Sequence, residues 1–226
     1  MVSNAIELIG EEMQALADPV RASFSRKLLR LGSGSGRLLL GCSMADLRRI
    51  CKQRGEALSL EEISILLRSD CQEFRQLALL AMVSKFKATP EAIVRLYLDS
   101  IAYVDNWDLV DLSAPKIIGA FYGPGDKIFM QLASSPNLWA NRIAIVATLP
   151  FIRDDQFALT LRLAEMFMGH WSHFLHKASG WMLREVGKRD VEVLLTFLKE
   201  RAPAMPKIML RYACERLSEE QKSKLC

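Results

Sequence analysis

Apolar residues recur along this chain at intervals of three and four with polar residues between them, in segment after segment of one to two dozen residues. No stretch alternates apolar and polar over the length of a strand between hairpin turns. That is the pattern of amphipathic helices, and it predicts an all-α fold. Between Phe74 and Phe86, the positions Phe74, Leu77, Ala78, Ala81 and Met82 form one stripe, and Glu73, Arg75, Gln76 and Lys85 fall outside it. Start signals precede such segments: Ser59 with Glu62 as a capping box, Thr89-Pro90-Glu91, Ser135-Pro136 and Asp154. Stops include Gly119 to Gly125, Gly169 and Ala202-Pro203-Ala204-Met205-Pro206. The predicted helices cover about residues 3–31, 44–54, 59–68, 70–87, 90–104, 106–122, 124–133, 136–150, 154–168, 171–187, 190–201 and 206–217.

Helices in such close succession, with no long linker, suggest stacked helical pairs of HEAT type, in which each pair buries its apolar face against its neighbours. The expectation is a single domain over residues 1–226, a solenoid whose second helices line a concave surface. Trp107 and Arg142 lie 35 residues apart and Arg142 and Trp181 lie 39 apart, close to the ~40-residue period of HEAT pairs. Residues one period apart occupy equivalent places in adjacent repeats, so the three are expected side by side on one face.

The stretch from Asp105 to Gly119 carries the most chemistry. Asn106 is a good N-cap, so Trp107 opens a helix, and a spacing of four sets Trp107 and Asp111 one above the other. Pro115 cannot donate to the carbonyl of Asp111, which predicts a kink or a restart just beyond the pair. On spacing alone, a core tryptophan and a dipole-complementing carboxylate remain the commoner reading of such a pair.

At 226 residues and 50% hydrophobic, the chain can bury a full core. No apolar run approaches the roughly 18 residues of a membrane span, and Met1 to Glu12 lacks the features of a signal peptide, so a cytoplasmic protein without membrane association is expected. Cys42, Cys51, Cys71, Cys214 and Cys226 include no Cys-x-x-Cys and no histidines at zinc spacing, which predicts reduced thiols and no metal site. A net charge of +4 suits a polyanion but does not identify one. Gly32-Ser33-Gly34-Ser35-Gly36-Arg37 lacks the preceding strand and the Gly-Lys-Ser/Thr ending of a phosphate loop, and reads as a flexible connection. His170, His173 and His176 have no carboxylate or cysteine at ligand spacing and read as surface and boundary residues.

Several motifs together resemble the AlkD-type DNA alkylation repair glycosylases. They are Asn106-Trp107-Asp108-Leu109-Val110-Asp111 with Ser113-Ala114 and Ile117-Ile118-Gly119, Gly41-Cys42-Ser43-Met44-Ala45-Asp46-Leu47-Arg48, Leu138-Trp139-Ala140-Asn141-Arg142-Ile143-Ala144-Ile145, and Lys177-Ala178-Ser179-Gly180-Trp181-Met182-Leu183-Arg184-Glu185. Met205-Pro206 running into Leu210-Arg211-Tyr212-Ala213 extends the resemblance to the C-terminus. It implies a C-shaped HEAT-like solenoid holding duplex DNA in a basic concave face, and excision of positively charged N3- and N7-alkylated purines without metal, cofactor or insertion of the base into a pocket. By matching motifs it implies Asp111 as the catalytic carboxylate, Trp107 and Trp181 as the tryptophans of the site, Arg142 as a contact to the DNA backbone, and Arg184 and Lys188 as further DNA contacts. The partner expected is duplex DNA containing alkylated bases, bound by a monomer. The chain departs from the family before Gly41, where a short Gly/Ser stretch and Arg37-Leu38-Leu39-Leu40 replace a longer acidic and aromatic loop.

These residue types suit that chemistry. Alkylation at N3 or N7 makes the purine a cationic leaving group, so the main task is to stabilise the sugar cation left behind, which a carboxylate does electrostatically. Indole faces attract cations by ~0.5–2 kcal/mol. No lysine is marked as a Schiff-base nucleophile, so hydrolysis to an abasic site is expected. A catalytically silent DNA-binding solenoid would need the arginines but not Asp111, and a protein-interaction scaffold would need neither.

Overall fold

The computed structural model describes residues 4–31 and 36–223, and among these the protein is all-α: fifteen α-helices, short 3₁₀ turns, and an isolated parallel bridge between Leu38 and Cys71. The chain forms two compact units, Met1–Ser113 and Ala114–Cys226. The first contains α1 (Asn4–Ala15), α2 (Pro19–Leu28), α3 (Met44–Arg54), α4 (Leu60–Leu67), α5 (Gln72–Lys85), α6 (Pro90–Asp99) and the start of α7 (Trp107–Phe121). The second contains the remainder of α7, then α8 (Ile128–Ala133), α9 (Leu138–Val146), α10 (Leu149–Arg153), α11 (Ala158–Met166), α12 (His173–Arg189), α13 (Val191–Arg201), α14 (Lys207–Ala213) and α15 (Glu219–Ser223). Among the described residues no helix is long and apolar enough to cross a membrane. Gly32 to Ser35 lie outside the described residues.

Several helices end where local chemistry, rather than apolar period, dictates. The helix expected over 3–31 is two, because Asp18 accepts from the backbone N–H of Val20 at 2.9 Å and of Arg21 at 3.0 Å, and Pro19 takes the first helical position. The helix expected over 136–150 likewise divides into α9 and α10. The Ser59–Glu62 capping box forms, with bonds of 2.7 and 3.2 Å, and Ser43–Asp46 makes a second one at the head of α3. Two start signals were misplaced: Asn137, not Ser135, caps α9 through Trp139 N at 2.8 Å, and Asp154 closes α10 rather than opening α11. Of the kink or restart expected at Pro115, the restart does not occur, for α7 runs through it without a break. Pro115 removes one backbone bond, while Leu109, Val110, Ala114, Ile117 and Ile118 on this helix are all completely buried, and that packing outweighs the loss.

The first unit is built around α5, which packs on α3, α4 and α6. Its buried surface exceeds the expected stripe: Leu77 to Met82 are buried, but so are Gln72, Glu73 and Arg75, two of which the pattern had set outside it. Each has the partners that burial requires. Glu73 accepts from Leu40 N at 3.1 Å and Gly41 N at 2.7 Å. Arg75 donates to Ser69 O at 2.6 Å and Tyr103 O at 3.0 Å and pairs with Asp105 at 3.1 Å. The second unit is organised by α12, which packs on α9, α10, α11, α13 and α14. Of the three histidines read as surface and boundary residues, His176 on α12 is buried, because it falls among Leu175, Ala178 and Ser179, which α12 carries into the core.

Candidate functional site

Three contacts fix the first turn of α7. Asn106 accepts from Trp107 N at 2.7 Å through its side chain, and from Val110 N at 3.2 Å through its carbonyl. Its amide also donates to Leu29 O at 3.2 Å, tying the start of α7 to the end of α2. On the inner side Ser113 donates to Leu109 O at 2.7 Å, which leaves its oxygen to accept from the buried Tyr97 hydroxyl at 2.9 Å. Burial pushes the Tyr97 hydroxyl up, and the charge of Asp111 adds to the effect.

Trp107 and Asp111, held in this way, both line a cavity of about 510 Å³ in the first unit. Its other walls include Phe24, Leu28, Met44 and Leu112, with Arg21, Gln72, Glu73, Gln76 and Asp108 supplying polar atoms. Three carboxylates line it. Glu73 is taken up by Leu40 and Gly41, and Asp108 accepts from Gln72 Nε2 at 2.9 and 3.0 Å and from Gln76 Nε2 at 2.7 Å. Burial raises the Asp108 carboxyl above its ordinary value, and the two amides act against that rise. Asp111, half-exposed one turn after Trp107, is the third. The acidic lining, facing one arginine that also donates to Gly41 O at 2.9 Å, favours a cationic occupant. The thiol lining the cavity is no nucleophile at neutral pH, because burial pushes Cys42 up to about 11.

Phe24 escaped the sequence reading. It is 64% exposed on α2, in line with Val20 and Leu28 at intervals of four. Asp18-Pro19 would have revealed α2 as a separate helix carrying that stripe. The segment before α3 holds α2 in place: Leu40 O accepts from Asp18 N at 2.8 Å, and Gly41, at φ +82°, comes so close that a Cβ there would lie 2.1 Å from Asp18 O. Gln72 and Gln76 also went unnoticed, since nothing local marks a glutamine as the partner of a carboxylate 36 or 32 residues away.

Arg142, Trp181, Arg184 and Lys188 belong to the second unit, where α9 packs against α12. Arg142 is only 4% exposed and donates to Phe174 O in the first turn of α12, so in this conformation it anchors that helix. Trp181 is half-buried, and its indole N–H donates to Glu185 at 3.1 Å. Glu185 also receives Lys188 Nζ at 2.7 Å and Arg184 at 3.4 Å, and Arg184 reaches Glu215 as well. The structure thus joins Trp107 to Asp111, and Trp181 to Arg184 and Lys188 through Glu185. Among the described residues no group of three or more His, Cys, Asp or Glu side chains could hold a metal ion.

The protein family described as DNA alkylation repair enzyme matches the chain over residues 9–217. A solved structure described as a predicted DNA alkylation repair enzyme from Enterococcus faecalis is similar in fold, with a TM-score of 0.74 and 18% identity over 90% of this chain and 97% of that one. No curated protein matches the sequence.

Proposed function

The chain belongs to the DNA alkylation repair enzyme family, and from that premise we propose that it is a monofunctional glycosylase. It hydrolyses the N-glycosidic bond of positively charged N3- and N7-alkylated purines in duplex DNA, without a cofactor and without drawing the base into a pocket. The observation that carries this reading is the pairing of Trp107 and Asp111 one turn apart on the wall of one cavity. As the C1′–N bond breaks, its electron pair leaves with the base and neutralises the positive charge there. The carboxylate of Asp111 stabilises the cation developing on the sugar and orients the water that adds to C1′, which gives up one proton to the solvent as the hydroxyl of the abasic sugar forms. Trp107 offers a π face to the cationic nucleotide, contributing ~0.5–2 kcal/mol that a neutral base would not draw, and Trp181 faces the DNA beside Arg184 and Lys188. Arg184 and Lys188 serve the phosphate backbone. Arg142 enters the proposal first as the anchor of α12, and contacts phosphate only if its guanidinium comes to the surface.

The test is a panel of duplexes carrying 7-methylguanine, 3-methyladenine, hypoxanthine or uracil, with abasic sites quantified after incubation. The cationic lesions should be excised and the neutral ones left, and Trp107→Ala and Trp181→Ala should each lower excision of the former. Equal excision of hypoxanthine would overturn the cation argument. Binding of every duplex without any excision would identify a silent DNA binder.

A further inference from the structure

Glu185 stands one helical turn beyond Trp181 on α12, and three donors share its carboxylate. Trp181 Nε1 donates to one oxygen at 3.1 Å, Lys188 Nζ reaches the two oxygens at 2.8 and 2.7 Å, and Arg184 lies 3.4 Å away. Its side chain is 17% exposed, against 49% for Glu215, the other acid on Arg184. An acceptor on the indole N–H restricts the rotation of the ring, since any other rotamer would leave that N–H without this partner. A phosphodiester resembles the carboxylate in what it offers cations: one negative charge and two outward oxygens that accept charge-assisted bonds.

We infer that Glu185 is a positioning residue with a second role as a built-in phosphate substitute. It fixes the rotamer of Trp181 and occupies Arg184 and Lys188 until a DNA phosphate takes them. The inference rests on the DNA-binding part of the proposed function. Its consequence is that Arg184 and Lys188 add less to affinity than two cations without an acid between them, because Glu185 stays beside the DNA and repels it. Glu185→Gln separates the two roles, keeping an oxygen for Trp181 Nε1 while removing the charge, whereas Glu185→Ala removes both.

The experiment measures the dissociation constant of the full chain for an undamaged duplex as a function of salt, for wild type, Glu185→Gln and Glu185→Ala. Tryptophan emission is taken alongside, as the difference between each protein and its Trp181→Phe counterpart. Glu185→Gln should bind about three- to tenfold more tightly near 0.1 M salt, with a salt slope steeper by roughly one, and should leave the Trp181 emission unchanged. Glu185→Ala should show the same steeper slope with a shifted emission. A purely structural glutamate would not steepen the slope. Wild-type affinity and slope in Glu185→Gln would overturn the exchange with phosphate, and unshifted emission in Glu185→Ala would overturn the positioning of Trp181. Failure of the wild type itself to bind duplex would instead remove the DNA reading and the phosphate exchange together, while the emission still judges the role toward Trp181.

Discussion

Asp108 and Asp111 lie three positions apart on one helix, and their surroundings give them different work. Asp108 has a carboxyl raised above the ordinary aspartate value of 3.8 because burial disfavours its charge. The folded state therefore binds this proton more readily than the unfolded chain, so Asp108 favours folding most at the acid end and that contribution is lost as pH rises through its folded value. Asp108→Asn keeps the shape and removes the titration. The stability difference between variant and wild type should then move in the variant's favour from about pH 4 to about pH 7, as read by urea denaturation at several pH values. Parallel stability curves would show that Asp108 does not carry the burden assigned to it. The sequence made Asp111 legible as a candidate and did not single out Asp108. Its partners are two glutamines a helix away on α5, and no local pattern points to those.

The pattern of apolar positions revealed helices throughout, and the capping box at Ser59 was legible because both of its partners lie within one turn. Boundaries were misread where a second signal sat inside a continuous apolar period, as at Asp18-Pro19, whereas the helix expected over 106–122 matches α7 with Pro115 inside it. Burial of Glu73 and Arg75 was illegible because most of their partners are backbone groups, of Leu40, Gly41, Ser69 and Tyr103, positioned only by the fold. Gly180 illustrates the reverse case, a residue quoted for its motif whose physical role emerges only from the packing of α12 on α14. A Cβ there would lie 2.4 Å from Met209 O and 2.6 Å from Tyr212 Cβ. Gly180→Ala should force the two helices apart at the residue next to Trp181, costing about 1–3 kcal/mol. Calorimetry should find a Tm lower by several degrees, at about 2–4 °C per kcal/mol for a protein of this size. An unchanged Tm would mean that α14 yields without loss.

At the level of the whole molecule, the similar solved structure agrees with the all-α fold, and the family match spans nearly the full chain. The residues that the resemblance singled out fall into two local groups with different electrostatics. Trp107 and Asp111 face an acidic cavity, while Trp181 shares Glu185 with Arg184 and Lys188. A sugar cation needs the former kind of surroundings and a phosphate backbone needs cations of the latter kind. In the proposed reaction the charge of Asp111 lowers the barrier to base loss. The most direct test of that role is the single-turnover rate of 7-methylguanine release from duplex DNA by wild type and by Asp111→Asn, with DNA affinity measured in parallel. The rate should fall at least about tenfold, equivalent to ~1.4 kcal/mol in the barrier, with affinity equal or slightly improved. Release by Asp111→Asn at the wild-type rate would contradict it.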